Sequence, residues 1–257
     1  MNAIFLSTLV FLAADVYTTQ FEEGVAHYQA GRFAEAARAF EHVAASQAAG
    51  PAVYYNLGNA YFRMAQLGRA IACYERALRE APRLGPAREN RDHALAQTRR
   101  KLAAPLAPAW EQALLFWDDA LSAGESRLLA FLAWFAAWAL LALRLWRRLP
   151  YLRIVAAAFF VFGLLFGLSA WTKARPAPLA VAVVPQLAVR FGPGENETVR
   201  FELFEGDRVL VEARQGDWMR VCTVDGERGW APAALFATVD TPLAPAAGPA
   251  AAPKAPA

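Results

Sequence analysis

The side chains able to do acid–base, metal or nucleophilic chemistry are few and scattered. His27, His42 and His93 all fall on helix-patterned stretches. Glu23 and His27 share a helix face, yet no third ligand stands at zinc-binding spacing, so the pair reads as a solvated surface contact. Cys73 and Cys222 lie 149 residues apart in segments of different character. That fits neither a disulfide framework nor a CxxC pattern, and both read as ordinary half-buried thiols. No HExxH, GxSxG, Walker loop or dinucleotide fingerprint occurs, and the glycines of GNAYFR and FGPGEN lack the strand-to-helix context of a phosphate cradle. The expectation is a protein that is not an enzyme, with no catalytic residue, metal or cofactor.

What the chain does carry is recognition chemistry, and it rests on repeated elements. Residues 17–82 contain an internal repeat of period 34, in which Gly24 falls on Gly58, Ala36 on Ala70 and Phe40 on Tyr74. The second copy, with Tyr54, Leu57, Gly58, Tyr61, Ala70, Tyr74, Ala77 and Pro82, follows the tetratricopeptide pattern. Small Gly58 and Ala70 suit a close crossing of two antiparallel helices, and Pro82 stops the second. Gly31 can take a left-handed turn conformation, whereas Ala65 replaces it in the second copy at a cost on the order of 1 kcal/mol. Residues 86–102 mix Ala87, Ala94, Leu95 and Leu102 with many charges, as a solvated capping helix would. The first helix of each repeat should line a groove for an extended or helical partner segment. Its candidates are Tyr28, Tyr55, Asn59, Phe62 and Arg63. Tyr28 and Phe62 are equally readable as packing residues; Asn59 and Arg63 are not, because neither helps a core.

A second set of candidates lies after Pro176, where the texture changes to short strands: LAVAVV, RVLVEA, DWMRVCTV and RGWAPAALF. Turns fall at Gly192 to Gly194, Gly206-Asp207, Gly216-Asp217 and Asp225-Gly226. Short strands with Gly-containing turns over some 60 residues imply a small antiparallel barrel. The phrases VRFGPG, LFEGDRVLV, GDWMRV and GERGWAP resemble the bacterial Src-homology-3-like domain. That resemblance implies binding of wall peptides or protein segments, with Phe191, Trp218 and Trp230 the matching aromatics; core filling is the rival role for the two tryptophans.

Between these parts the composition leaves water. The chain is 57% apolar and 19% charged, too greasy for an ordinary pair of soluble domains. Its net charge of +3 is too small to argue for nucleic acid. Leu128 to Leu143 is 16 residues without a charge and Ile154 to Thr172 is 19. Both are expected to cross a lipid bilayer as a tight antiparallel hairpin. Arg144, Arg147, Arg148 and Arg153 then mark a cytoplasmic turn, against Arg127, Lys173 and Arg175 at the far ends. Ala3 to Ala14 has the size of a signal-peptide core, or of an anchor, and places the residues from about Asp15 onward outside the membrane. The stretch from Pro108 to Ala123, with Trp110, Leu114, Trp117 and Leu121 at helical spacing, reads as an amphipathic helix at the outer interface or as a soluble linker.

The expected organisation is a multidomain α + β chain. A signal peptide or anchor (1–16) precedes a tetratricopeptide α-hairpin array with its capping helix (17–102), an amphipathic linker (103–125), a two-helix transmembrane hairpin (126–172), a Src-homology-3-like β-barrel (177–239) and a disordered Pro/Ala tail (240–257). This succession resembles the BatE-type, repeat-containing group among the bacterial aerotolerance (Bat) operon proteins. The resemblance implies an inner-membrane scaffold whose two modules face the periplasm, working beside von Willebrand factor A-type membrane proteins and a MoxR-type ATPase. A peptidoglycan-binding module that recruits wall enzymes is the alternative.

Overall fold

The computed structural model describes residues 18–45, 49–100, 113–115, 117, 120–146, 149–175 and 178–239. The signal or anchor segment, the Pro/Ala tail, Trp110, Arg147 and Arg148 lie outside the described residues. The chain divides into two compact units, one holding the repeats and the strands, the other the two apolar helices.

In the first unit, α1 (residues 18–29), α2 (Phe33–Ala44), α3 (Pro51–Arg63), α4 (Leu67–Glu80) and α5 (Gly85–Gln97) follow in order. Pro51 opens α3 at a position where its missing N–H costs nothing. The two repeat turns have the same hydrogen-bond pattern. Gly31 N–H and Arg32 N–H donate to the carbonyls of Tyr28 and His27, and Ala65 N–H and Gln66 N–H donate to those of Phe62 and Tyr61. Such a turn needs a left-handed residue. Gly31 supplies it at φ +74°, and Ala65 is forced to φ +56°, the strain expected from the sequence. Phe40, Tyr61 and Tyr74 fill the core beside Ala36, Ala70 and Ala77. A methyl on Gly58 would stand 2.6 Å from the Tyr74 ring, and one on Gly24 2.6 Å from the Phe40 ring, so both crossings close only over glycine.

The strands of this unit form one antiparallel sheet in the order β3-β2-β6-β5-β4-β1-β7. They are β1 (Leu179–Ala182), β2 (Gln186–Arg190), β3 (Val199–Phe204), β4 (Arg208–Gln215), β5 (Trp218–Cys222), β6 (Arg228–Pro232) and β7 (Phe236–Thr238). A single apolar cluster takes Ala180, Leu187, Leu203, Val209, Met219, Val221, Ala231 and Phe236 from all seven strands, so the sheet curls around its own core. The sequence reading found β1, β4, β5 and β6 but not β2 and β3, the two arms flanking FGPGEN.

In the second unit, α6 (Ala123–Trp146) and α7 (Tyr151–Ala174) are each 24 residues long, about 36 Å at the helical rise. Both are long and apolar enough to cross a membrane. The first is longer than its charge-free run because Ser122 and Glu125 form a capping box: Ser122 N–H donates to Glu125 Oε2 at 2.8 Å and Glu125 N–H to Ser122 Oγ at 3.2 Å. The linker does not run into it as one helix, since residues 115, 117, 121 and 122 are not helical. Ala133, Ala137, Ala156, Gly163 and Ala170 are buried, small residues that let the two helices approach closely. Ser169 Oγ donates to Ser126 Oγ at 2.9 Å, with Lys173 Nζ 3.5 Å from each. Arg144 lies in the last turn of α6 and Arg153 in the first turn of α7.

Candidate partner-binding surfaces

The array brings most of the groove candidates together, in two groups. Asn59 Oδ1 accepts hydrogen bonds from Tyr74 Oη and Asn90 Nδ2, both at 2.8 Å, and Asn90 Nδ2 lies 3.5 Å from Tyr55 Oη. Burial pushes the Tyr74 phenol above its ordinary range, so it stays protonated and keeps donating. With its oxygen committed, the Asn59 amide presents its NH₂ as the remaining donor, while Asn90 keeps an acceptor oxygen. In the other group the Arg63 guanidinium lies 4.3 Å over the Phe33 ring, which meets Tyr28 edge-on at 5.3 Å. Phe62 packs against His93 at 5.5 Å. Tyr28, Tyr55, Asn59 and Phe62 are half-buried and Arg63 is exposed.

Phe33, Asn90 and His93 were missed in the sequence reading. A signal existed for two of them: Asn90 stands 34 residues after Asn56 and His93 34 after Asn59, so the repeat period runs on into α5. His27 Nδ1 accepts a hydrogen bond from Arg32 Nε at 3.0 Å. Cys73 is fully buried rather than half-buried, and burial pushes its thiol well above the ordinary value; Cys222 is half-buried as expected.

The β3–β4 turn covers α4 and the end of the 86–102 stretch, which was expected to be solvated. Arg208 Nη1 meets Glu75 Oε1 at 2.7 Å with side chains only 8% and 13% exposed, and Arg91 approaches the other oxygen at 3.7 Å. Gly68 N–H donates to Glu205 Oε1, Arg100 to the Glu202 carbonyl, and the Arg99 guanidinium sits 4.1 Å over Phe204. Gly206, at φ +87°, leaves no room for a side chain: a methyl there would stand 2.4 Å from Thr98 Cγ2 and 3.1 Å from Ile71 Cδ1. Asp207 is buried in the same turn, accepting from Phe204 N–H; burial raises its carboxyl above the usual range, against the pull of that bond and of Arg100.

The barrel candidates do not fill the core. Met219, Val221 and Ala231 alternate with Trp218, Arg220 and Trp230, and only the first set is buried. Trp218 and Trp230 therefore stand on the outer face, diagonal to each other, because Trp218 pairs with Pro232 and Arg220 with Trp230. Phe191 lies just beyond β2, exposed, with the Arg200 guanidinium 5.1 Å from its ring.

These geometries describe two interaction modules. Residues 51–84 match the tetratricopeptide repeat family, and residues 183–236 match the bacterial SH3 domain family. No curated protein matches the chain. Modules of both kinds typically bind proteins or wall components rather than catalyse reactions.

Proposed function

We propose that this protein is a non-enzymatic adaptor anchored by α6 and α7 in the bacterial cytoplasmic membrane, with the repeat array and the barrel both on the outer side. The observation that carries the reading is the joint between the modules, sealed by Arg208 and Glu75. A nearly dry ion pair shared by the two bodies supports one compartment for both, with the chain between them entering the bilayer and returning as a hairpin. The arginines at the bend favour the cytoplasm for that turn.

The groove around Asn59 is the main partner contact in this proposal. An NH₂ donor and a carboxamide acceptor on neighbouring helices suit the alternating C=O and N–H groups of an extended segment, and Arg63 adds a cation at its rim. The resemblance to the aerotolerance proteins supports an envelope stress complex with von Willebrand factor A-type proteins and a MoxR-type ATPase as partners. In a pull-down from membranes, Asn59→Ala with Arg63→Ala should lose the partners that wild type retains; retention of all of them sinks the groove as the contact. The outer position of Trp218 and Trp230, beside exposed Phe191, favours a second reading in which the barrel grips peptidoglycan. That reading requires wild-type binding to purified wall that persists in the groove variant and fails in Trp218→Ala.

A further inference from the structure

The outer face of the barrel is charged in a way that selects its ligand. β4 is bulged between Val211 and Ala213, so Glu212 drops out of the pairing with β5. A bulge of this kind re-aims a side chain. Here it turns Glu212 onto the face occupied by Trp218 and Trp230, where its carboxylate bridges two arginines, Oε2 to Arg220 Nε at 3.0 Å and Oε1 to Arg228 Nε at 2.8 Å. In both pairs the approach is made by Nε. Arg220 and Arg228 remain 43% and 56% exposed. Arg190, on the far side of Trp230, is held by a bond from Nη1 to the Glu197 carbonyl. Three guanidiniums thus flank the Trp230 indole across β2, β6 and β5, with Glu212 as the carboxylate that holds two of them in place.

Resting on the reading of the barrel as a ligand-binding module, we infer that this face binds an acidic, extended segment of a partner protein. Carboxylates would meet the exposed guanidiniums of Arg220 and Arg228, and the intervening apolar side chains would lie on Trp218, Trp230 and Pro232. Adjacent strands are about 4.8 Å apart, so the guanidiniums call for several carboxylates on one short segment, as an acidic stretch of protein supplies. A ligand presenting cations is repelled.

The test uses the full chain in uncharged detergent micelles. A fluorescein-labelled eight-residue peptide of alternating glutamate with alanine and proline is titrated by anisotropy, beside the same peptide carrying glutamine for glutamate, and beside solubilised wall fragments as competitors. The glutamate peptide should bind about tenfold or more tighter than the glutamine peptide, and binding should weaken as salt rises. Arg220→Gln should weaken it about fivefold or more at an unchanged melting temperature, while Glu89→Gln, exposed on α5, leaves it intact. Equal binding of the two peptides, no binding of the glutamate peptide, indifference to Arg220→Gln, or wall fragments displacing the peptide through the same arginine each overturn the inference. Salt dependence on wild type alone decides the matter if the variant misfolds. Loss of partners in Asn59→Ala bears only on the groove, so the two claims fail separately.

Discussion

Two single positions show how tightly the array is specified. Ala65 holds a left-handed backbone conformation that glycine adopts freely, and its counterpart in the first repeat is glycine. Ala65→Gly should therefore stabilise the array by about 0.5–1 kcal/mol, measured as an upward shift in the unfolding midpoint. Gly58→Ala should do the reverse, because the new methyl meets the Tyr74 ring at 2.6 Å; a loss of about 1–3 kcal/mol is expected. Gly85→Ala, where nothing lies within 4 Å, is the control. Both test positions were legible in the sequence, since a period of 34 residues aligns them with glycines of the first copy. Asn90 was less legible. It sits among charges on a helix whose pattern reads as a cap, and its role appears only when Asn59 and Tyr55 are seen beside it.

Among the elements, the β3–β4 turn decides the most. Glu75 faces two guanidiniums, so Glu75→Gln leaves Arg208 nearly buried without its counter-charge, while Arg208→Met leaves Glu75 still near Arg91. The first should cost about 3–5 kcal/mol, the second less, and Glu75→Leu with Arg208→Met should recover most of the loss. Hydrogen exchange of the Phe204–Arg208 amides in the full chain measures this. The same turn should respond to pH. Asp207 has its carboxyl raised in the folded state by burial, so the folded chain binds a proton more tightly than the unfolded one. Stability then falls as pH rises from the ordinary carboxylate range through the raised value. Asp207→Asn should remove that part of the slope, read as the difference between the two proteins in unfolding midpoint against pH. None of this was legible in advance, because GDR reads equally as an exposed hairpin turn. What it packs against depends on a surface over 100 residues earlier in the chain. The outer position of the tryptophans was hidden for a related reason: a half-buried aromatic satisfies the alternation of β5 and β6 on either face.

At the scale of the molecule, the order of parts was readable from composition and periodicity. Two modules flank two apolar stretches, and both the hairpin and the curled sheet follow from where the charges and turn residues fall. Contact between the modules was not readable, yet it is what the proposed topology, with both modules on one side of a bilayer, draws on. The direct measurement is labelling with a membrane-impermeant maleimide in intact spheroplasts, using Cys222→Ser as background and leaving buried Cys73 in place. Glu89→Cys reports on α5 and Glu195→Cys on the loop after β2, both exposed. Each should label before lysis, to the same extent as after it. Labelling of one site only, or of either site only after lysis, contradicts a single outward-facing unit.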